Sequence, residues 1–323
     1  MACEGVVIAP QKPAGLRAES LWAITSYFNP MRYQRRRANY RIFRERLNVP
    51  LVAVELAYGP EFELTESDAD ILIQLRGRDV MWQKERLLNL ALSALPSSCR
   101  KVIWTDCDII VEADDWSARV NRLLDRFMLV QAFSCAHHLP PHWKPGETRT
   151  PIMFTQPSAV SAIASGNDAA SLLAQPVPSG SGSTNKGLAW AAHRELLDEA
   201  GFYDACIVGG GDLAMVSAVY GCFDVAMRNM NERQKEHYLA WARPRHEMFG
   251  AEAGFLDCSV FHLWHGDIDH RRYRERHEAL RRHEFDPFED IAHDENGGWR
   301  WNSNKPELHE DVRAYFAARK EDG

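Results

Sequence analysis

The chain has 323 residues, 45% of them hydrophobic and 26% charged, and its 38 Lys and Arg against 45 Asp and Glu leave a net charge of -7. This balance excludes disordered, collagenous and coiled-coil chains, and it argues against a sequence-independent nucleic-acid binder, which is usually basic. No run approaches the ~18 apolar residues of a transmembrane helix, Glu4 interrupts any secretory signal, and the seven scattered cysteines contain no Cys-x-x-Cys; a cytoplasmic, reducing setting is the expectation.

In chain order, residues 1–19 read as a leader with Pro10 and Pro13. Ser20–Ser26 reads as a buried strand broken by Asn29-Pro30, followed by a helix over Tyr33–Leu47 and strands over Val49–Leu56 and Ala69–Leu75. The spacing of Leu87, Leu88, Ala91, Leu92 and Leu95 predicts a helix from Val80 to Leu95. Lys101–Thr105 is an apolar strand that runs into Asp106-Cys107-Asp108. Strands alternating with helices imply an α/β fold with a mainly parallel central sheet and flanking helices.

From His137 to Asn185 the chain is rich in Pro, Gly and Ser, and Ser179–Thr184 is its most flexible-looking stretch. A helix over His193–Ala200 ends at Gly201, a glycine run leads to Asp212, and a second helix covers Leu213–Tyr220. Phe223–Met227 reads as strand-like and Phe261–His265 as a short aromatic segment. The expected organisation is a main domain over 20–268 and a helical tail over 269–323 packed on it.

Several constellations carry chemistry. Asp106 and Asp108, at i and i+2 on a strand, would share one face; like charges there need a neutralising partner such as Mg²⁺ or Mn²⁺, although two solvated turn carboxylates are the plain alternative. Trp82, Gln83, Lys84 and Arg86 open a helix where cations and free N–H groups meet phosphate, unless they form a solvated face. Gly209, Gly210 and Gly211 permit close backbone approach, and Asp212 after them is a catalytic candidate or a helix cap. His262 and His265 end an apolar segment and can complete a metal site begun by carboxylates, or serve as structural histidines. The Arg-rich segments 32–46 and 271–282 read chiefly as solvated faces. There is no GxGxxG, GxxxxGK[ST] or GxSxG.

Taken in order, these features resemble a GT-A glycosyltransferase, in particular the β-1,4-galactosyltransferases, chondroitin polymerases and polypeptide GalNAc-transferases, over about Leu21 to Asp267. The matching segments are Thr25-Ser-Tyr-Phe-Asn-Pro-Met-Arg32, Trp82-Gln-Lys-Glu-Arg-Leu-Leu-Asn89, Asp106-Cys-Asp108, Gly187 through Arg194 to Leu197, and Gly201-Phe-Tyr-Asp204. Where the family has Trp-Gly-Gly-Glu-Asp/Asn, this chain reads Val208-Gly-Gly-Gly-Asp212; the Asp position is kept, the Glu is Gly211 and the Trp is absent.

The resemblance implies the GT-A fold and a metal-dependent transfer from a nucleotide-sugar donor, with UDP favoured, to a glycan or other hydroxyl acceptor. It implies Mn²⁺ or Mg²⁺ on Asp106, Asp108 and His265, with His262 as the fallback. Donor contacts would come from Thr25, Tyr27, Asn29, Arg32, Trp82, Lys84, Arg86, Asp106 and Asp108. Gly209, Gly210, Gly211 and Trp190 would line the acceptor or its loop, Asp212 would be the general base of an inverting displacement, and the Gly/Ser stretch would close over the donor. A retaining outcome shares the same Asp-x-Asp. The competing readings are a sugar nucleotidyltransferase and a catalytically degenerate nucleotide-sugar or glycan-binding protein on the same fold.

Overall fold

A computed structural model describes residues 20–147, 150–175, 183–250 and 252–323. The expected leader over 1–19 lies outside them, as do residues 179–182 of the Gly/Ser stretch. The first half contains β1 (Leu21–Phe28), α1 (Gln34–Arg46), β2 (Leu51–Ala57), β3 (Ile71–Arg76), α2 (Lys84–Ser93), β4 (Lys101–Thr105), β5 (Ile109–Val111), α3 (Trp116–Leu123), β6 (Leu129–Gln131) and β7 (Cys135–His138). It continues with β8 (Phe154–Pro157), α4 (Ala159–Ala164), α5 (Ala169–Ala174), β9 (Ala189–His193), α6 (Arg194–Ala200), α7 (Gly211–Val219), α8 (Phe223–Met227) and α9 (Glu232–Phe249). Then come β10 (Gly254–Phe255), β11 (Ser259–His262), α10 (Glu275–Arg282), β12 (Ile291–His293), β13 (Trp299–Trp301) and α11 (Pro306–Ala318).

Among the described residues the main sheet has the order β10-β6-β9-β4-β1-β2-β3. Its β1, β2, β3 and β4 pair in parallel, whereas β9 runs antiparallel to β4 and β6. The fold is therefore α/β with a mixed, mainly parallel sheet. Its central strands β1, β2 and β4 are buried on both faces, as a sheet covered on both sides requires. Alternate residues feed opposite cores: Trp22, Ile24, Val52, Val54, Val102 and Trp104 pack on one side, and Leu21, Ala23, Leu51, Ala53 and Ile103 on the other. Glu55 is buried in β2, where its carboxylate accepts the backbone N–H groups of Glu63 at 2.6 Å and Leu64 at 3.3 Å. A second sheet, β5-β11-β7-β8, lies beyond the end of β4.

Several elements differ from the sequence expectation. The helix expected from Val80 starts at Lys84, and ahead of it the Trp82 N–H donates to the Ile207 carbonyl at 2.7 Å. The segment Phe223–Met227 is the short helix α8 rather than a strand, and it packs on α7 and α9. The long helix α9 was not anticipated. It opens on a capping box, Asn231 accepting the Gln234 N–H at 2.9 Å while Gln234 accepts that of Asn231 at 3.2 Å, and it ends at Gly250 with φ 67°.

The segment over 269–323 is not purely helical: α10 and α11 flank the β12–β13 hairpin. Its Leu280, Phe285, Ile291, Leu308, Val312 and Phe316 belong to the same apolar core as Trp104 and Trp190. Within the described residues no helix is long and apolar enough to cross a membrane.

Candidate functional site

The site forms where β4 ends. The strand stops at Thr105, and Asp106 to Asp108 is a turn before β5. The pleat that would put both carboxylates on one face is therefore lost, and the two side chains go to different clusters. Ligands of open α/β sheets bind outside such carboxyl ends of strands.

Asp106 belongs to a lysine-centred cluster. Lys84, at the first position of α2, places Nζ 2.6 Å from Asp106 Oδ1. The same Nζ lies 2.9 Å and 3.2 Å from the two oxygens of Asp212 in the first turn of α7. Burial alone would push Lys84 down, but Asp106 and Asp212 more than reverse this and hold it well above the usual lysine range. Burial pushes Asp106 up to about 6 against the pull of Lys84. Glu85 is the third carboxyl here; burial lifts it to about 8, again against Lys84. The neighbouring carboxylates of Asp212 and Asp106 add to the burial in raising Glu85.

Two glycines make room for this cluster. A Cβ on Gly187 would sit 2.5 Å from Asp212 Oδ2, and a Cβ on Gly211 would overlap the Glu85 carboxyl. Gly209 and Gly210 have φ of 86° and 111°, a region that favours glycine. Gly210 is the residue that precedes α7, so Asp212 is not its cap.

Asp108 turns to the histidines of β11 and the residues after it. His265 Nε2 is 3.2 Å from Asp108 Oδ2, His262 Nε2 is 3.6 Å from Oδ1, and the two Nε2 atoms are 3.2 Å apart. Donor atoms of all three residues lie within 4.8 Å of one another. Asp108 Oδ1 is buried with no hydrogen-bond partner, which is what an acceptor reserved for a cation looks like. One oxygen and two imidazole nitrogens suit a first-row divalent ion such as Mn²⁺ better than Mg²⁺, which prefers an all-oxygen shell. Burial, then Arg271, keeps His265 below the usual histidine range. Burial, then His138, holds His262 well below it.

Behind His265 lies Glu321, 3.6 Å from Nδ1. Arg36 and Arg319 grip Glu321 at 2.7 Å and 2.5 Å; they outweigh burial and hold its carboxyl well below the usual range. Beside the histidines opens a cleft of about 220 Å³, lined by His138, Met153, Phe154, Trp264, Asp269 and Arg271 among others.

The structure thus brings together Asp108, His262 and His265 in one group, and Lys84, Asp106 and Asp212 in an adjacent one. Asp106, expected on the metal, is held by Lys84 instead, and Lys84, expected on a phosphate, is engaged by two carboxylates. Other expected donor contacts have internal partners. Thr25 donates to the Thr105 carbonyl at 2.7 Å, Tyr27 to Glu63, and Asn29 to the Tyr33 carbonyl at 2.9 Å. Arg86 pairs with Asp204 at 3.3 Å. Trp190 is buried, stacked on Trp104, with its N–H on the Lys186 carbonyl. Arg32 is exposed on the rim with φ 56°, 4.0 Å from Glu61. Trp82 packs edge-on to Phe28 and under the Arg319 guanidinium.

Glu85, His138, Gln156, Arg271 and Glu321 were not anticipated at the site. Glu85 carried a signal in its position next to Lys84 at the start of a predicted helix, and Arg271 in the Arg-rich segment that it opens.

No family model matches the chain, and no curated protein matches it. Solved structures do. Glucosyl-3-phosphoglycerate synthase from Mycobacterium tuberculosis, in complex with Mn²⁺, UDP and glucosyl-3-phosphoglycerate, is 14% identical over 86% of this chain and 87% of its own, with a TM-score of 0.40. A mannosyltransferase from Pyrobaculum calidifontis with GDP-mannose and Mn²⁺ is 16% identical over 97% and 73%, TM-score 0.40. A 4-diphosphocytidyl-2C-methyl-D-erythritol synthase from Anaerococcus prevotii is 9% identical over 75% and 88%, TM-score 0.34. None of the three is named as one of the transferases that the sequence motifs resemble. Scores of this size leave the functional argument to the site itself.

Proposed function

We propose that the protein is a metal-dependent glycosyltransferase that moves a sugar from a nucleoside-diphosphate donor, a UDP-sugar first, to a hydroxyl acceptor with inversion. The observation that carries this reading is the convergence of Asp108, His262 and His265 at the end of β4, one residue away from the Lys84–Asp106–Asp212 cluster. A divalent cation held by Asp108, His262 and His265 would neutralise the diphosphate leaving group. Lys84 holds both oxygens of Asp212 and so fixes the direction of that carboxylate. Asp212 accepts the proton of the acceptor hydroxyl as its oxygen bonds to the anomeric carbon. The bond from that carbon to the diphosphate oxygen breaks on the opposite face, and its electron pair leaves with the nucleotide.

The test is a thermal-shift panel of UDP, GDP, CMP and their sugars, with and without Mn²⁺, on wild type and Asp108→Ala. A ligand at 100 times its Kd adds ~2.7 kcal/mol of stability. The expected result is a Mn²⁺-dependent shift with one nucleotide that Asp108→Ala loses. No shift with any nucleotide overturns the proposal. Product anomer by NMR decides inversion.

A further inference from the structure

The histidine His262 can offer a lone pair to a cation only if its ring proton sits on Nδ1, and hydrogen bonds running back to a backbone amide decide that point. The amide of Gly187 can only donate, and it lies 3.0 Å from Asn185 Oδ1. The other end of Asn185 is therefore its NH₂, which points at Gln156 at 3.2 Å. The Gln156 atom facing it must be the carbonyl oxygen, and its own NH₂ donates to Ser183 Oγ at 2.8 Å. That oxygen is 2.9 Å from His138 Nε2, so this nitrogen carries a hydrogen. A neutral imidazole has one such hydrogen, which leaves His138 Nδ1 as an acceptor. It is 3.1 Å from His262 Nδ1, which must then be the donor.

The ring nitrogen left over, His262 Nε2, faces His265 Nε2 at 3.2 Å. The latter accepts from the Arg271 guanidinium at 3.0 Å, a group that can only donate. His262 Nε2 and Asp108 Oδ1 thus face one place, 3.6 Å apart, with no hydrogen between them, while the single lone pair of His265 Nε2 is engaged by Arg271, whose guanidinium a cation bound here would displace.

The second sheet builds this chain of bonds. His138 stands opposite His262 in the parallel β7–β11 pair, and Gln156 stands opposite Ala136, diagonal to His138, in β7–β8. His138 stacks on Phe154 with ring centroids 4.1 Å apart.

We infer that His138 and Gln156 are positioning residues that lock His262 in its Nδ1–H tautomer and so aim Nε2 at the divalent cation shared with Asp108 and His265. This rests on the metal reading proposed above. Such outer partners of a metal-bound histidine are worth roughly 10–100-fold in metal affinity.

The experiment uses the full chain. Nitrogen-15 histidine spectra of chelator-treated protein, assigned with His262→Gln, read the tautomer directly, and calorimetry reads Mn²⁺ affinity. Wild-type His262 is expected to be protonated at Nδ1 only. Gln156→Leu and His138→Phe are expected to mix the tautomers and weaken Mn²⁺ binding about 10–100-fold. His138→Asn, which can still present an acceptor oxygen, is expected to recover most of the loss. A wild-type His262 protonated at Nε2, with Mn²⁺ binding that still needs Asp108, overturns the positioning role alone. Folded Gln156→Leu or His138→Phe with unchanged affinity does the same. A wild type that binds no Mn²⁺ overturns the metal reading together with it.

Discussion

Glu85 is the sharpest place to test the electrostatics of the site. Its carboxyl is buried against Gly211, shares its surroundings with Asp106 and Asp212, and is lifted from 4.5 to about 8. A raised carboxyl pKa means that the folded state binds a proton the unfolded state has released. The folded protein is therefore favoured below about pH 4.5, and this contribution is lost as pH rises towards 8. At ~1.4 kcal/mol per pKa unit, less the part by which the folded carboxyl begins to ionise near 8, the loss between pH 5.5 and 7.5 is about 2.5 kcal/mol. Glu85→Gln keeps the size and an amide in place of the protonated acid but cannot ionise. Urea unfolding of both proteins across this range should show wild type losing about 2.5 kcal/mol relative to the variant. Parallel curves would refute the buried, proton-bearing Glu85, and with it the charge count of the lysine cluster.

Two further substitutions probe the same cluster. Lys84→Met leaves Asp106 and Asp212 without their cation; breaking a buried pair costs roughly 3–5 kcal/mol. Because the Asp212 side chain is 37% exposed and that of Asp106 is 24% exposed, the expected loss is about 3 kcal/mol by urea unfolding, at the lower end of that range. An unchanged midpoint would mean that the ion pairs are solvent-screened. Asp212→Asn should lower transfer by 10²–10⁴-fold with donor binding intact, the usual worth of a general base. Rates within about threefold of wild type would remove Asp212 from that role.

The α/β class was legible because long apolar strands and helical spacing report directly on which faces are buried. The runs of β1, β2 and β4 and the stripe Leu87, Leu88, Ala91, Leu92 of α2 all lie in the core. Helix α9 was not legible: its buried positions Gln234, Tyr238, Ala242 and Phe249 mix polar and apolar residues, and Pro244 sits inside it. Its capping box at Asn231 was the signal present but unread.

The sequence alone thus carried the strand–helix alternation from β1 to β4, and it marked Asp106, Asp108, Asp212, His262 and His265 as residues that carry chemistry. Only the tertiary structure decided their company. It ended β4 at Thr105, so that Asp106 and Asp108 part, and it delivered Lys84 from another helix to one and both histidines to the other. It also placed Glu321 behind His265 and the Gln156–His138 chain behind His262. Periodicity along a chain records what each residue does to water. Hydrogen bonds and ion pairs between distant elements depend on where those elements cross, and that depends on packing of the whole core.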